Sequence, residues 1–281
     1  MKFLDCAGKK LDLSRPQVMG ILNITPDSFS DGGDFVSVDK ALERAGQMVG
    51  EGVDIIDVGG ESTRPGAQAV TEQEEIERVL PIIQSLAAEF PVPVSVDTSK
   101  APVMREAVLA GAGLINDVMA LRGEGAIEAA RDCAVPVCLM HMQGEPRTMQ
   151  LNPHYEDLLG DIKSYFQQRI NACEEAGISR ERLLLDPGFG FGKTLEHNLR
   201  LLNRLAGLTA LGLPMLVGIS RKSMLGKILD DAPVDERLYA SLAAAVMAFE
   251  RGASILRVHD VKPTADALRI ASAVMDSTEN N

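Results

Sequence analysis

Long apolar runs are missing from this sequence. None approaches the roughly 18 consecutive residues that a membrane-spanning helix requires, and no membrane partner is expected. Lysine and arginine never cluster into a basic run, and 28 basic against 40 acidic residues leave a net charge of −12. That balance argues against nucleic acid as a partner, although a few well-placed cations can still hold a small anion. Cysteine is scarce too. The four thiols, Cys6, Cys133, Cys138 and Cys173, form no CxxC pair and no zinc-ligand spacing, which points to reduced thiols and a cytoplasmic setting. Asp5, Lys9 and Lys10 interrupt the first residues, so these do not read as a signal peptide. No low-complexity tract or Pro/Ser-rich linker divides the 281 residues. One domain over 1–281 is therefore expected, with a hairpin at 1–15 closing one end and a frayed tail at 277–281.

What the chain does contain is alternation. Short apolar runs at 18–22, 55–58, 94–96, 114–115, 137–140, 183–185, 215–217 and 255–258 alternate with segments of helical periodicity. The runs are continuous rather than polar-apolar, as expected for strands of a parallel sheet covered on both faces. Ile76, Val79, Leu80, Ile83 and Phe90 mark one helical face, and Leu238, Leu242, Ala245 and Phe249 another. Thr71 and Glu74 have capping-box spacing, and Gly177 suits the stop of a helix beginning near Tyr155. Eight strand-then-helix units in a row favour a closed (β/α)₈ TIM barrel over an open sheet.

Such barrels build their sites at the C-terminal ends of the strands. Here every run ends in a polar group: Asn23, the GGESTRPG segment at 59–66, Asp97, Asn116, His141, Asp186, the Ser220-Arg221-Lys222 triplet, and Arg257 with His259. Asp97, Asn116 and Asp186 suit the donor-rich edge of a heterocycle bearing an amino group. Arg64, Lys222, Arg257 and His259 suit phosphate oxygens. Asn23 is an oxygen ligand suited to Mg²⁺ that is otherwise held by water and phosphate. The segment GFGFGKT at 188–194 is not a P-loop, since Pro187 stands where the Walker spacing needs glycine. Its glycines are expected to let a planar ligand approach. His141 reads equally well as a core histidine, His154 and His197 as surface residues, and Met140 as packing near the barrel mouth.

Longer strings make the pattern specific: GILNITPDSFSDGG at 20–33, DVGGESTRPG at 57–66, SVDTSK at 95–100, IND at 115–117, LMHMQG at 139–144, LDPGFGFGK at 185–193, GISRKS at 218–223 and RVHDV at 257–261. In this order they resemble the signatures of the dihydropteroate synthase family, over nearly the whole chain. The resemblance implies condensation of a dihydropterin methyl diphosphate with para-aminobenzoate, releasing diphosphate, with Mg²⁺ as cofactor. By position it implies that Asp97, Asn116, Asp186 and Lys222 hold the pterin. Asn23, Thr63, Arg64, Arg257 and His259 would hold the diphosphate and its metal. Phe29, Pro65, Phe191, Ser220 and the stem of Lys222 would line the para-aminobenzoate site. Loss of diphosphate leaves a cation that the pterin delocalises, so stabilising the leaving oxygens is the main catalytic task, given to Arg257, His259, Lys222 and Asn23. The glycine-rich segments 24–35 and 60–70 are expected to close over the reactants. Rival readings are a Schiff-base barrel using Lys222, a pterin-binding methyltransferase domain with a corrinoid partner, and a non-catalytic pterin binder. Apolar helical faces near the C-terminus suggest a homodimer.

Overall fold

A computed structural model describes residues 3–24, 34–62, 69–145 and 148–277, with the backbone alone at 34–37. The opening hairpin pairs β1 (Phe3–Cys6) antiparallel with β2 (Lys9–Asp12). Eight parallel strands then close into a barrel. In chain order the strands and helices are β3 (Gln17–Asn23), α1 (Asp34–Glu51), β4 (Ile55–Gly59), α2 (Glu72–Glu89), β5 (Val94–Asp97), α3 (Ala101–Leu109), β6 (Leu114–Asp117), α4 (Ala126–Cys133), β7 (Val137–Met140), α5 (Leu158–Glu175), β8 (Leu183–Asp186), α6 (Leu195–Asn203), β9 (Met215–Val217), α7 (Ser223–Ile228), α8 (Leu238–Glu250), β10 (Ala253–Val258) and α9 (Val261–Asp276). The last strand closes on the first, Arg257 lying opposite Met19 in the β10–β3 ladder. All eight runs expected to be strands are strands, two of them with the expected bounds and six extended by a residue or two at one end or both. β9 is followed by two α-helices.

Alternation along each strand sorts the side chains. Val58, Val96, Ile115, Leu139, Leu185, Val217 and Leu256 face outward into the layer shared with the helices. The opposite parity points inward, and its lower members are Met19, Ile55, Leu114, Cys138, Leu184, Leu216 and Ile255. Leu4, Cys6 and Leu11 of the hairpin pack onto these seven and seal the barrel's N-terminal end. Lys9 fastens the hairpin by donating to the carbonyls of Ala87, Phe90 and Val92 at 3.2, 2.7 and 3.1 Å, at and just beyond the end of α2.

Local signals fared well where chemistry is local. Thr71 and Glu74 form the capping box that starts α2, and Gly177 follows the end of α5 with φ +90°. α5 itself begins at Leu158, three residues beyond Tyr155. The helical faces are rotated from expectation. In α2 the buried residues are Glu75, Val79, Ile82, Ile83 and Leu86, whereas Ile76 and Leu80 are half-buried and Phe90 is the C-cap. In α8 the buried stripe is Ser241, Ala244, Ala245 and Ala248, and Leu242 and Phe249 flank it. A broad apolar arc does not reveal which part meets the sheet. In α8, close packing against the barrel selects the small residues.

Candidate active site

Two residues above the sealing layer, the inward positions change character. Ile55 is followed by Asp57, Ser95 by Asp97, Leu114 by Asn116, Leu184 by Asp186 and Ile255 by Arg257. Asp57 is fully buried; its Oδ2 accepts from Arg257 Nε at 2.6 Å and Asn116 Nδ2 at 3.2 Å. Arg257 Nη2 reaches Asp97 Oδ2 at 2.7 Å. One guanidinium thus bridges two carboxylates. Burial works against its charge, but Asp57 and Asp97 outweigh that and hold it above the ordinary arginine value. Burial pushes the Asp97 carboxyl well above its usual range, against the pull of Arg257 and with Asp57 adding to the rise. The other Asp57 oxygen, Oδ1, is buried with no hydrogen-bond partner among the described residues, an acceptor open to a donor from a ligand.

Asp186 is buried, and its Oδ1 accepts the Gly188 N–H at 2.7 Å. Burial raises its pKa, and Lys222 opposes the rise. Lys222 precedes α7, donates to the carbonyl of Phe189, and stands 4.8 Å from the centre of the Phe191 ring. Burial lowers its ammonium to about 8, with Asp186 pulling the other way. Ser220, also buried, lies 3.0 Å from His259 Nδ1 and accepts the His259 N–H at 3.2 Å. Between Ser220 and Lys222, Arg221 adopts φ +57° and turns its guanidinium onto Asp260 at 2.9 and 2.5 Å. Left-handed backbone is costly for arginine. The ion pair, and an Arg221 N–H bond to Ser241 Oγ at 2.9 Å, hold it there.

Asn23 is exposed at the end of β3. Its neighbour Gly59 has no side chain; a Cβ there would lie 3.6 Å from Asn23 Oδ1 and 3.8 Å from Asp97 Oδ2. Two oxygens therefore border one small open space. Among the described residues no three His, Cys, Asp or Glu side chains form a metal cage. The loop that follows is tied at its foot by Lys100, whose Nζ pairs with buried Glu75 at 2.5 Å and Glu61 at 2.6 Å. A recess of about 340 Å³ walled by Gln143, Thr148, Met149 and His154 holds none of the predicted residues.

Several sequence expectations change here. The acceptor-rich and cation-rich halves are not separate, since Arg257 touches Asp97 directly. Asp57 was missed because it sits inside an apolar run; counting two from Ile55 on the inward face would have found it. His259 lies just past the strand, so strand alternation does not orient it, and its ring faces Ser220. Gly188 and Gly192 pack tightly on neighbouring backbone: a Cβ on Gly188 would meet the His141 carbonyl at 1.9 Å, and one on Gly192 that of Gln143 at 2.4 Å, while Gly190 faces the Lys222 side chain. Gly60 admits α2, since a Cβ there would meet Val79 at 2.8 Å, so its smallness serves packing. His141 is a buried core histidine, 2.9 Å from Lys193 Nζ and edge-on to Tyr165. His197 is half-buried and completes a capping box with Thr194, while His154 is exposed as expected. Met140 packs with Met142, Met149 and the partly buried Phe191. Phe29, Thr63, Arg64 and Pro65, with most of the two segments expected to close, lie outside the described residues.

Comparison with known proteins bears on what this ring of residues does. The family described as pterin binding enzyme matches residues 19–259. The dihydropteroate synthase of Escherichia coli K12 is 55% identical over 273 residues, covering 97% of this chain and 96% of that protein. A solved dihydropteroate synthase of Yersinia pestis in complex with a sulfonamide drug superposes with a TM-score of 0.93 at 55% identity, covering 98% of this chain and 99% of that one. The Xanthomonas albilineans enzyme solved with 4-aminobenzoic acid gives 0.92 at 50%, covering 98% of each chain.

Proposed function

The chain belongs to the dihydropteroate synthases of the pterin-binding enzyme family, and on that premise we propose how its residues divide the work. The activity joins 6-hydroxymethyl-7,8-dihydropterin diphosphate to para-aminobenzoate, giving 7,8-dihydropteroate and diphosphate in folate biosynthesis. The observation that carries the assignment of roles is the inward ring of Asp57, Asp97, Asn116, Asp186 and Arg257, with Lys222 at its edge.

Asp97, Asn116 and Asp186 take the amino-pyrimidine edge of the pterin, Lys222 also holds the ring, and the unpartnered Asp57 Oδ1 adds a fourth acceptor. In the reaction the carbon–oxygen bond to diphosphate breaks, the delocalised cation is attacked by the arylamine nitrogen, and that nitrogen then sheds a proton. An arylamine attacking a cation needs no strong base, so no side chain is assigned that task. Arg257, His259 and Lys222 stabilise charge as it grows on the leaving oxygens, together with Thr63 and Arg64. Phe29, Pro65, Phe191 and Ser220 line the para-aminobenzoate site.

Mg²⁺ fits this arrangement as an ion held chiefly by diphosphate and water, with Asn23 Oδ1 as the protein oxygen beside the space left by Gly59. Bound there it would neutralise charge on the leaving group. We further propose a single pterin-binding domain over 1–281 in a cytoplasmic enzyme; no helix among the described residues is long and apolar enough to cross a membrane. A homodimer is supported by exposed Tyr239 on α8 and Ile270 and Val274 on α9, and equilibrium sedimentation tests it. The central test is incubation with the pterin diphosphate, para-aminobenzoate and Mg²⁺. Stoichiometric dihydropteroate and diphosphate are expected; absence of both overturns the reading.

A further inference from the structure

The loop between β8 and α6 carries three glycines with φ +68°, +80° and +60° at 188, 190 and 192. Such a segment has little conformational preference of its own. It is instead held by side chains, one of its own and several from other elements. Lys193 Nζ donates to the carbonyls of Gly188 and Phe191, each at 3.0 Å. Lys222 donates to that of Phe189, Gln150 to that of Gly190 at 2.6 Å, and Tyr155 Oη to that of Gly192 at 2.8 Å. Asn198 Nδ2 takes the carbonyl of Lys193 at 3.3 Å, and its Oδ1 accepts the Gly190 N–H at 2.7 Å. Every carbonyl from Gly188 to Lys193 therefore has a side-chain donor.

Lys193 is the centre of this arrangement. Its side chain is buried, and its third bond goes to His141 Nδ1 at 2.9 Å. An ammonium has three donors, and here they meet three acceptors. With Lys193 charged, Nδ1 accepts and the neutral imidazole carries its proton on Nε2; burial lowers the Lys193 ammonium to about 7. Burial holds His141 well below the ordinary histidine range, and the adjacent Lys193 adds to this. The His141 N–H is in turn bonded to the carbonyl of Asp186 at 2.8 Å, so the anchor is the barrel wall itself.

The loop ends in two features that face the site: the Phe189 carbonyl receiving Lys222, and the Phe191 ring beneath the same ammonium. We propose that Lys193 is a positioning residue for the para-aminobenzoate half of the reaction, fixing the loop on which Phe191 and the seat of Lys222 depend. Asp57, Asp97 and Asn116 hang on strands and do not depend on it; Asp186 accepts the Gly188 N–H of this loop but is itself carried by β8. The proposal rests on the division of the site proposed above.

The test is Lys193→Met in the full chain, which keeps length and removes all three donors. Steady-state kinetics are expected to show KM for para-aminobenzoate raised on the order of tenfold, with KM for the pterin diphosphate changed less than about threefold. A purely structural lysine would lower the melting temperature and the active fraction while leaving both KM values in place, and that result overturns the proposal. So does an equal rise in both. If Lys193→Met does not fold, Tyr155→Phe removes one bond to the same loop. A rise of about threefold in KM for para-aminobenzoate alone then supports the proposal, and an unchanged value overturns it. Failure of the unmodified protein to form dihydropteroate would strike the functional reading itself and is seen before any variant is made.

Discussion

The two ends of this barrel are built from the same strands, two residues apart, and they obey opposite rules. At the N-terminal end Ile55, Leu114, Leu184 and Ile255 point inward and are covered by Leu4, Cys6 and Leu11. At the C-terminal end the next inward positions are Asp57, Asn116, Asp186 and Arg257; Arg257 pairs with Asp57 and with Asp97, and Asn116 donates to Asp57. The lower end is held mainly by packing, with Lys9 bonding the hairpin to the end of α2 and with Ser95 the polar side chain at this inward level. The upper end retains buried charges, raised carboxyl pKa values and an orphan oxygen, Asp57 Oδ1. Folding tolerates that cost because the apolar layer below and the helical layer outside supply the burial. Stability and chemistry are thus separated along β4, β6, β8 and β10 rather than between them.

The sharpest way to break this contrast is Arg257→Ala. Removing the guanidinium strands Asp57 and Asp97 in a buried setting, which should cost about 3 to 5 kcal/mol in unfolding free energy. It should also lower kcat on the order of a hundredfold. The sequence alone assigned Arg257 to the leaving group, which would leave affinity for a pterin without diphosphate unchanged. Its contact with Asp97 predicts that this affinity falls as well. Arg257→Lys should recover part of each loss, since a point charge cannot bridge both carboxylates. Denaturant titration with parallel kinetics decides; full retention of stability would show that the ion pairs are not structural.

Asp186→Ala is expected to weaken pterin binding by about 3 kcal/mol, more than a hundredfold in Kd, because ring donors are left buried and unpaired. Calorimetry showing unchanged affinity would remove Asp186 from the site. At the other end, Leu4→Ala should lower stability by about 2 to 3 kcal/mol through the cavity left in the sealing layer. Both KM values should stay put, so a changed KM there would erase the division between the ends.

A further effect, confined to acid pH, is on pH dependence. His141 is buried and neutral against Lys193, so its folded pKa lies below the unfolded value of about 6.5. A depressed histidine contributes stability that is complete above about 6.5 and is lost as pH falls below it. The loss should run at about 1.4 kcal/mol per pH unit until the folded form also protonates. His141→Gln keeps an acceptor for Lys193 and cannot titrate. Urea unfolding at several pH values between 7.5 and 4.5 should show a shallower fall for the variant; parallel curves would mean that His141 is not depressed.

Much of this architecture was legible because its signals are local. Continuous apolar runs marked the strands, the Thr71–Glu74 spacing marked a cap, and Asn116, Asp186 and Lys222 stood out at run ends. Asp57 did not, because a charge flanked by Ile56 and Val58 looks like part of a covered strand unless inward and outward parity are counted separately. Lys193 and His141 were hidden for another reason. Their roles depend on a loop whose glycines look permissive but are pinned by side chains from elsewhere, Tyr155 and Asn198 among them. The same holds for Arg221, whose positive φ is set by Asp260 and Ser241 and not by its own preference.

By itself the sequence determined the number and order of the strands, the polar groups that end them, and the family resemblance those groups carry. These follow from hydrophobic periodicity and residue chemistry, which act over a few positions along the chain. Only the tertiary structure decided which groups meet. Arg257 reaches Asp57 across 200 residues of chain and Asp97 across 160. That meeting requires the last strand to close against the first and the ladder registers to bring inward positions of separate strands to one height. Register and closure are properties of the whole barrel, fixed by packing of all eight strands together. No single segment encodes them.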